Sequence, residues 1–249
     1  MRQSCQPGSL GRSSDDVPPV YFVLTLDTWG SEQRSGRPNR QTSRPGFNLV
    51  LQLNFNNDHD RRHEKLGCRN ALFNYQGHPV APHRNTLAWA RIDLDWASNC
   101  ALIEEIPSDW IRGVAWLAER VEKKLASSQP TTESIAYAGQ RLPLAAAQAC
   151  CGYVLEHYAG IWAEAMLWAS IEFIREELGL PVVFYHREPG SRLLKGIHCS
   201  APPRSRYTDF PCRFCFTPTR EVPPFLADDR EVRRLLRQNP AVEFFRLAG

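Results

Sequence analysis

TLAWARIDLDWASNCALIEEIPSDW, residues 86–110, is the stretch that decides the fold class of this chain. Its two apolar segments, 86–96 and 100–107, flank the short link Ala-Ser-Asn, and so short a link favours an antiparallel hairpin. Directly after Pro107, the spacing of apolar residues changes from that of a strand to that of a helix. The stretch therefore predicts a hairpin that leads into a helix.

Helical patterning dominates the middle of the chain. Apolar residues recur at three- and four-residue spacing through 108–126, where Ser108 or Asp109 can cap the first turn. Residues 144–179 predict two helices, or one helix that breaks near Gly160. We expect these helices to pack against a sheet, because their apolar surface is too large to stay in water.

The clearest strand outside the hairpin is GFNLVLQLNFN, residues 46–56. Apolar and polar side chains alternate along it, which is the two-residue period of a half-buried strand. Residues 57–86, rich in turn formers, are expected to be irregular. Further strands are predicted at 20–29, 180–186 and 214–219.

Strands, a hairpin and then helices interleaved with strands predict an α+β fold with a mixed, largely antiparallel sheet packed against helices. Residues 1–19 are polar and proline-rich, so we expect a disordered N-terminal arm there. Residues 20–227 are expected to form a single domain. Residues 228–249 predict an amphipathic helix and an apolar tail that dock on this domain.

Composition excludes several classes of protein. Of 249 residues, 43% are hydrophobic and 23% are charged, as in ordinary globular domains. No apolar run approaches the roughly 18 residues that cross a bilayer, and the N-terminus lacks a signal-peptide core, so a cytoplasmic protein is expected. A net charge of +3 does not indicate nucleic acid as a partner. The eight cysteines show no disulfide-framework spacing and are expected to be reduced.

Two short motifs, HRE at 186–188 and PCRFC at 211–215, follow the order found in zinc-dependent nucleobase deaminases. In such an enzyme His186, Cys212 and Cys215 would bind zinc and Glu188 would move the proton.

The neighbours of these motifs argue against that reading. Pro189 and Gly190 predict a turn after the first motif, and the prolines after Cys215 exclude a helix there, whereas the deaminase fold needs a helix start at both places. A second zinc hypothesis adds His198 and Cys199 to the cysteine pair, but a single Cys-x-x-Cys is a weak signal. The sequence therefore predicts no metal site.

Two adjacent carboxylates lie at the end of the hairpin. Strict alternation places Leu102 and Glu104 on one face of the strand and Ile103 and Glu105 on the other, so at least one carboxylate points inward. A buried Glu is costly unless it is paired. Such a residue either anchors a helix end or performs acid/base chemistry.

Residues 105–110, Glu-Ile-Pro-Ser-Asp-Trp, resemble the Glu-Ile-Gln-Ser-Asp-Trp motif of a domain family. This family is found in large polyvalent proteins of phages and mobile elements and in bacterial proteins of unknown function. The resemblance covers roughly residues 87–217, with Pro107 in place of Gln and Phe210 in place of the usual Leu as departures. The matching positions are Glu105, Ser108, Asp109, Trp110, Trp162 and Tyr207.

The order of elements also resembles the second half of the GNAT acyltransferase fold, in which a hairpin leads to a glycine-bearing turn that binds coenzyme A. This resemblance implies an acyl-coenzyme A donor, with Glu105 or Glu104 as general base and Tyr207 protonating the leaving thiolate. It implies a pyrophosphate site at the helix start, formed by four residues. These are Ser108, Asp109, Arg112 and Gly113.

Two alternatives to an acyltransferase stay open. A non-catalytic interaction module associated with mobile elements predicts an exposed apolar patch, around the tryptophans or the tail. A zinc enzyme of the deaminase type predicts about one equivalent of bound metal. The sequence does not indicate whether a substrate would be a small molecule or a protein.

Overall fold

The computed structural model describes residues 20–30, 47–65, 67, 72–75, 77–127, 133–188, 190–195, 207–208 and 210–248. The elements given below lie in these ranges. The predicted arm at 1–19 lies outside them.

A seven-stranded sheet forms the centre of the protein. Every neighbouring pair of its strands is antiparallel except one, the fourth and fifth strands across the sheet, which are parallel. In spatial order the strands are β1 (Val23–Gly30), β2 (Phe47–Asn54), β3 (Thr86–Asp95), β4 (Cys100–Glu105), β7 (Val182–His186), β9 (Phe244–Leu247) and β8 (Thr217–Thr219). A separate hairpin consists of β5 (Ser134–Tyr137) and β6 (Gln140–Pro143).

Seven α-helices surround the sheet in the described part of the chain. They are α1 (Asn57–Lys65), α2 (Asp109–Leu125), α3 (Leu144–Tyr158), α4 (Trp162–Glu172), α5 (Gly190–Lys195), α6 (Pro224–Asp228) and α7 (Arg230–Gln238). A π-helical turn (Phe173–Glu177) continues α4, and a 3-10 helix covers Pro211–Phe214. No described helix is long and apolar enough to cross a membrane.

Apolar residues pack on both faces of the sheet. The larger core joins one face to α2, α3 and α4, and Ile103 and Trp110 are fully buried in it. The smaller core joins the other face to α6 and α7, and Leu102 and Phe184 are buried there. Adjacent residues of β4 enter opposite cores because side chains alternate along a strand. Each fully buried side chain of this size stabilises the fold by about 1.5–3 kcal/mol.

The predicted α+β class, with a mixed and largely antiparallel sheet, is confirmed. The hairpin forms as β3 and β4, and α2 begins at Asp109 with Ser108 as its cap. The helical segment 144–179 breaks between Tyr158 and Trp162, close to Gly160.

The prediction of irregular structure over 57–86 was wrong for its first part, because α1 occupies Asn57–Lys65. The Asn56 side chain accepts a hydrogen bond from the His59 backbone N–H at 2.9 Å and so caps the helix. His59 and His63, one turn apart, are the residues that this helix buries. The apolar pattern was missed because both positions of the buried face carry histidine, a residue that normally counts as polar.

The turn expected after the first motif was wrong at Gly190, where α5 begins, and Pro189 lies outside the described residues. After the second motif, Pro211 stands at the start of a 3-10 helix, where its missing N–H costs nothing. The strand predicted at 214–219 shortens to Thr217–Thr219, since Cys215 adopts a left-handed conformation with φ of 63°.

The C-terminal tail is part of the sheet. Its strand β9 lies between β7 and β8 and pairs with both in antiparallel register. Phe244 and Phe245 are almost completely buried, each on a different face. The apolar tail therefore completes both cores.

The expectation of reduced cysteines holds for Cys100, Cys151, Cys212 and Cys215 but not for Cys150, which is disulfide-bonded. Burial raises the pKa of the Cys151 thiol to about 12, so this thiol is protonated at neutral pH.

Candidate functional site

A β-bulge brings both carboxylates of β4 to one arginine. Arg91 of β3 pairs with Glu105 while its neighbour Ile92 pairs with Ile103, so Glu104 is the extra residue. The Arg91 guanidinium lies 2.8 Å from Glu104 Oε2 and 2.9 Å from Glu105 Oε1. Strict alternation would have sent the two side chains to opposite faces. The bulge is the reason that one cation reaches both.

Lys195 of α5 adds a second cation to the pair. Its Nζ donates to the Glu104 backbone oxygen at 2.7 Å and lies 3.4 Å from Glu105 Oε2. Arg91, Glu104, Glu105 and Lys195 form what we call the charge cluster. Two carboxylates and two cations make its formal charge zero. The cluster lies where the parallel strands β4 and β7 both end.

The members of the charge cluster differ in their access to solvent. The side chains of Arg91, Glu104 and Lys195 are at most 3% exposed, whereas Glu105 is 23% exposed. Removing ions from water costs several kcal/mol for each ion, which good pairing offsets only in part. A buried cluster of this kind is therefore a weak source of stability. Because Glu105 is the partly exposed carboxylate, it is the one that a bound molecule can reach.

His186 ends β7 beside the charge cluster and is fully buried. Burial lowers the pKa of its imidazole to about 3, and the nearby positive charges of Lys195 and Arg91 act in the same direction, against the opposing charge of Glu104. His186 is therefore neutral at physiological pH. A neutral ring can remain in this position without adding a charge to a balanced cluster.

Tyr207 lies close to the same edge of the sheet. Its ring stacks on that of Tyr185 with centroids 5.6 Å apart, and its backbone oxygen accepts from the Glu188 N–H at 3.3 Å. Tyr185 pairs with Ile103, two residues before Glu105. Tyr207 is 6% exposed and packs with Tyr185 in the larger core, whereas Glu105 pairs with Arg91 on the opposite face of the sheet. The structure therefore does not bring the expected acid and base together.

The first turn of α2 is occupied by its own side chains. Ser108 Oγ accepts from the Ile111 N–H at 3.1 Å and donates to the Leu87 backbone oxygen at 2.6 Å. Asp109 pairs with Arg112 and lies 2.6 Å from His78 Nδ1. These contacts account for Ser108 and Asp109 as capping and pairing residues, while the Arg112 side chain remains 70% exposed.

Gly113 packs tightly against the β5–β6 hairpin. A Cβ at this position would lie 2.6 Å from the Tyr137 hydroxyl and 3.1 Å from Phe73 Cδ1. The glycine is thus explained by close packing on the side of the helix that faces Tyr137.

A Gly113→Ala variant is therefore expected to lose about 1 kcal/mol of its free energy of unfolding, although alanine favours a helix by about that amount over glycine. Adding Tyr137→Phe removes the clashing hydroxyl and should restore stability to the wild-type value or above. Urea unfolding of the single and double variants measures both changes. A stabilised single variant would contradict the close contact.

A row of buried polar residues covers one face of β2 and β3 and was not foreseen. Its members Asn48, Gln52, Arg91 and Asp93 are all at most 6% exposed, although the alternation of β2 predicted a solvent-facing polar side. Trp29 of β1 and Trp89 of β3 lie over the same face, with their rings 5.1 Å apart. The signal in the sequence was the unusual richness of this strand in amides, Asn48, Gln52 and Asn54.

His78 stands at the rim of this polar face. Its ring lies 5.8 Å from Trp29 and 5.5 Å from Trp89 in edge-on contacts, and Asp109 holds its Nδ1. A carboxylate on one ring nitrogen fixes the orientation of an imidazole and leaves the other nitrogen for a ligand. The Arg91 guanidinium stacks on Trp29 at 4.9 Å, so the polar face and the charge cluster adjoin.

The zinc hypotheses find no support among the described residues, where no group of three or more His, Cys, Asp and Glu side chains is placed to hold a metal ion. His186 is fully buried, whereas Cys212 and Cys215 are exposed. His198 and Cys199, needed for the second hypothesis, lie outside the described residues.

The chain matches no protein-family model, no curated protein and no solved structure. The arrangement of its own residues is therefore the basis for a functional proposal.

Exposed apolar residues bear on the interaction-module hypothesis. Trp96, Trp116 and Trp168 are 50–57% exposed but lie on three different elements of the chain. Leu24 and Leu26 are about half exposed and lie side by side on one face of β1, at the edge of the sheet. The interaction-module hypothesis placed an exposed apolar patch around the tryptophans or the tail. The tail is instead largely buried as β9.

Proposed function

We propose that this protein transfers an acyl group from a coenzyme A thioester to an acceptor amine, with Glu105 as the general base. The observation that carries the proposal is the position of Glu105. It is the partly exposed carboxylate of a buried charge cluster, at the end of the one parallel strand pair in the sheet. Bulges and strand ends of this kind aim side chains into functional sites.

The proposed reaction assigns a step to each side chain. The amine nitrogen attacks the thioester carbonyl while Glu105 accepts the amine proton. The carbon–sulfur bond then breaks, and the departing thiolate takes its proton from solvent, because Tyr207 lies on the other face of the sheet. Arg91 and Lys195 act as positioning residues, because they hold the Glu105 carboxylate at 2.9 and 3.4 Å.

The phosphates of the donor need cations and free donors. Since Ser108 and Asp109 already supply oxygen acceptors to the first turn of α2, we place the phosphates further along this helix. Arg112 is mostly exposed there. A pocket between the second half of α2 and the β5–β6 hairpin adds further cations, since its lining includes Arg120, Lys123, Lys124 and Arg141.

Binding of acetyl-coenzyme A tests the proposal. At a concentration about 100 times Kd, a ligand of the folded state should raise the melting temperature of a protein of this size by about 5–10 °C. Arg120→Glu combined with Lys123→Glu should abolish most of the shift if the phosphates lie on α2. Free adenosine, which lacks the phosphates, serves as the ligand control. No shift at saturating acetyl-coenzyme A would overturn the proposal.

A further inference from the structure

Three hydrogen-bond donors on the polar face have no acceptor within the part of the chain that the structure describes. Gln52 Nε2, Trp89 Nε1 and Arg91 Nε are buried, and none has a hydrogen-bond partner among the described residues. Their side chains are at most 3% exposed. A buried donor left without a partner costs about 1–3 kcal/mol, so three such donors on one face favour a bound group that supplies acceptors.

The register of the sheet makes these three donors neighbours. Gln52 of β2 lies directly opposite Trp89 of β3. Arg91 follows Trp89 by two residues and therefore projects from the same face. Directly opposite side chains such as Gln52 and Trp89 are about 5 Å apart at their Cβ atoms, and diagonal neighbours such as Gln52 and Arg91 are about 7–8 Å apart, which is still within reach of long side chains.

The Gln52 amide is oriented by its neighbours. The Thr25 hydroxyl donates to Gln52 Oε1 at 2.7 Å and accepts from Asn54 Nδ2 at 2.8 Å. The carbonyl side of the amide is thereby occupied, and the NH2 group is the side left for a ligand. A chain of hydrogen bonds from Asn54 through Thr25 thus presents Gln52 as a donor.

We propose that this face binds the carboxylate of a small aromatic acid, through Gln52, Trp89 and Arg91. All three groups are donors, and a carboxylate offers only acceptors. Arg91 and Lys195 together balance Glu104 and Glu105, so the cluster has no spare positive charge for a phosphate dianion, and a monoanion adds the smaller charge. Asp93, on the same face, is engaged by the Asn48 amide. Under the proposed function, on which this step rests, the acid also carries an amine and is the acyl acceptor at Glu105.

The body of the acid is expected to contact aromatic rings. Trp29 lies 5.1 Å from Trp89 and stacks on Arg91, while His78 stands edge-on to both tryptophans. Tyr75, 60% exposed, lies 4.8 Å from His78 and marks the solvent side. Aromatic rings favour edge-on and offset contacts with another ring at such distances.

Calorimetric titration of the full chain with phenylacetate tests the site. The titration is carried out without acyl-coenzyme A. We expect saturable binding of phenylacetate, at least about 10-fold weaker binding of the neutral isostere phenylacetamide, and weaker binding of inorganic phosphate. Failure of this titration leaves the acetyl-coenzyme A experiment untouched, and the reverse also holds, so the two proposals fail separately.

Two variants locate the binding. Trp89→Phe removes one donor and keeps an aromatic ring, and Gln52→Glu replaces the donor with an acceptor while keeping the bond from Thr25. Each should weaken phenylacetate binding by about 10-fold or more, whereas Trp168→Phe, at an exposed tryptophan, should not. Circular dichroism checks that each variant is folded. If Gln52→Glu does not fold, the titration of Trp89→Phe alone decides the test. Three outcomes overturn the proposal: no saturable binding, equal binding by Trp89→Phe, or tighter binding of phosphate.

Discussion

An Arg91→Met variant is expected to lose about 3–5 kcal/mol of its free energy of unfolding, one of the two largest effects we predict. Glu104 is completely buried, and Arg91 is the cation that lies 2.8 Å from its carboxylate. Without that guanidinium, a carboxylate must either stay charged in the interior or take up a proton, and both are costly. Urea unfolding at neutral pH measures the loss.

Two further variants separate pairing from packing. Glu104→Gln added to Arg91→Met removes the carboxylate charge that Arg91 pairs with, so the double variant should recover most of the stability lost by the single one. Arg213→Met breaks an exposed ion pair with Glu164 at 2.5 Å and should cost less than about 1 kcal/mol. If Arg91→Met were no more costly than Arg213→Met, the charge cluster would not be a buried network.

Stability is expected to fall steeply as pH is lowered below about 6.5. Burial is the main cause that lowers the pKa of His59 and of His186 to about 3 and of His63 to about 4, from an ordinary value of 6.5. At pH values between 6.5 and these lowered pKa values, the histidines of the unfolded chain are protonated while those of the folded protein stay neutral. The contribution of these histidines to the free energy of unfolding is fully present above pH 6.5. Below pH 6.5, each histidine lowers the free energy of unfolding by about 1.4 kcal/mol per pH unit. Together the three give a slope of about 4 kcal/mol per pH unit.

The pH range from 6 to 5 is the place to measure this slope, by urea unfolding. His63 has no hydrogen-bond partner on either ring nitrogen in the described part of the chain, and it packs 5.2 Å from the Trp110 ring. A His63→Leu variant should therefore remain folded and lose about one third of the slope. His83→Asn, at an exposed position with φ of 59°, should leave the slope unchanged. A wild-type protein equally stable at pH 5 and pH 7 would contradict the burial of all three imidazoles.

Local patterns in the sequence predicted most of the elements, because the apolar period reports directly which side of a strand or helix is buried. The β3–β4 hairpin and α2 followed from spacing and from one capping serine. Helix α1 was missed because its buried face consists of His59 and His63. The pairing of β4 with β7 has no local signal, since the helices between them separate the two strands widely in sequence.

The candidate site was predicted less completely than the fold. Alternation identified Glu104 and Glu105 as candidates, but the bulge that turns both toward Arg91 depends on pairing with β3. Lys195 joins the cluster from α5, a helix that the proline and glycine at 189–190 argued against. Gln52 is buried because other residues cover the second face of β2. The alternation of apolar and polar residues along one strand does not indicate whether its polar face is covered.

Release of free coenzyme A from acetyl-coenzyme A, followed with a thiol reagent in the presence of an acceptor amine, is the most direct test of acyl transfer by this protein. We expect turnover by the wild-type protein. The kcat of Glu105→Gln should be about 10²–10⁴-fold lower, although this variant retains the hydrogen-bonding shape of the side chain and should still bind the donor. Glu172→Gln, at an exposed carboxylate of α4, is the matched control and should keep wild-type turnover. Equal turnover by Glu105→Gln and the wild-type protein would contradict the assignment of the general base, and no turnover with any amine would contradict acyl transfer itself.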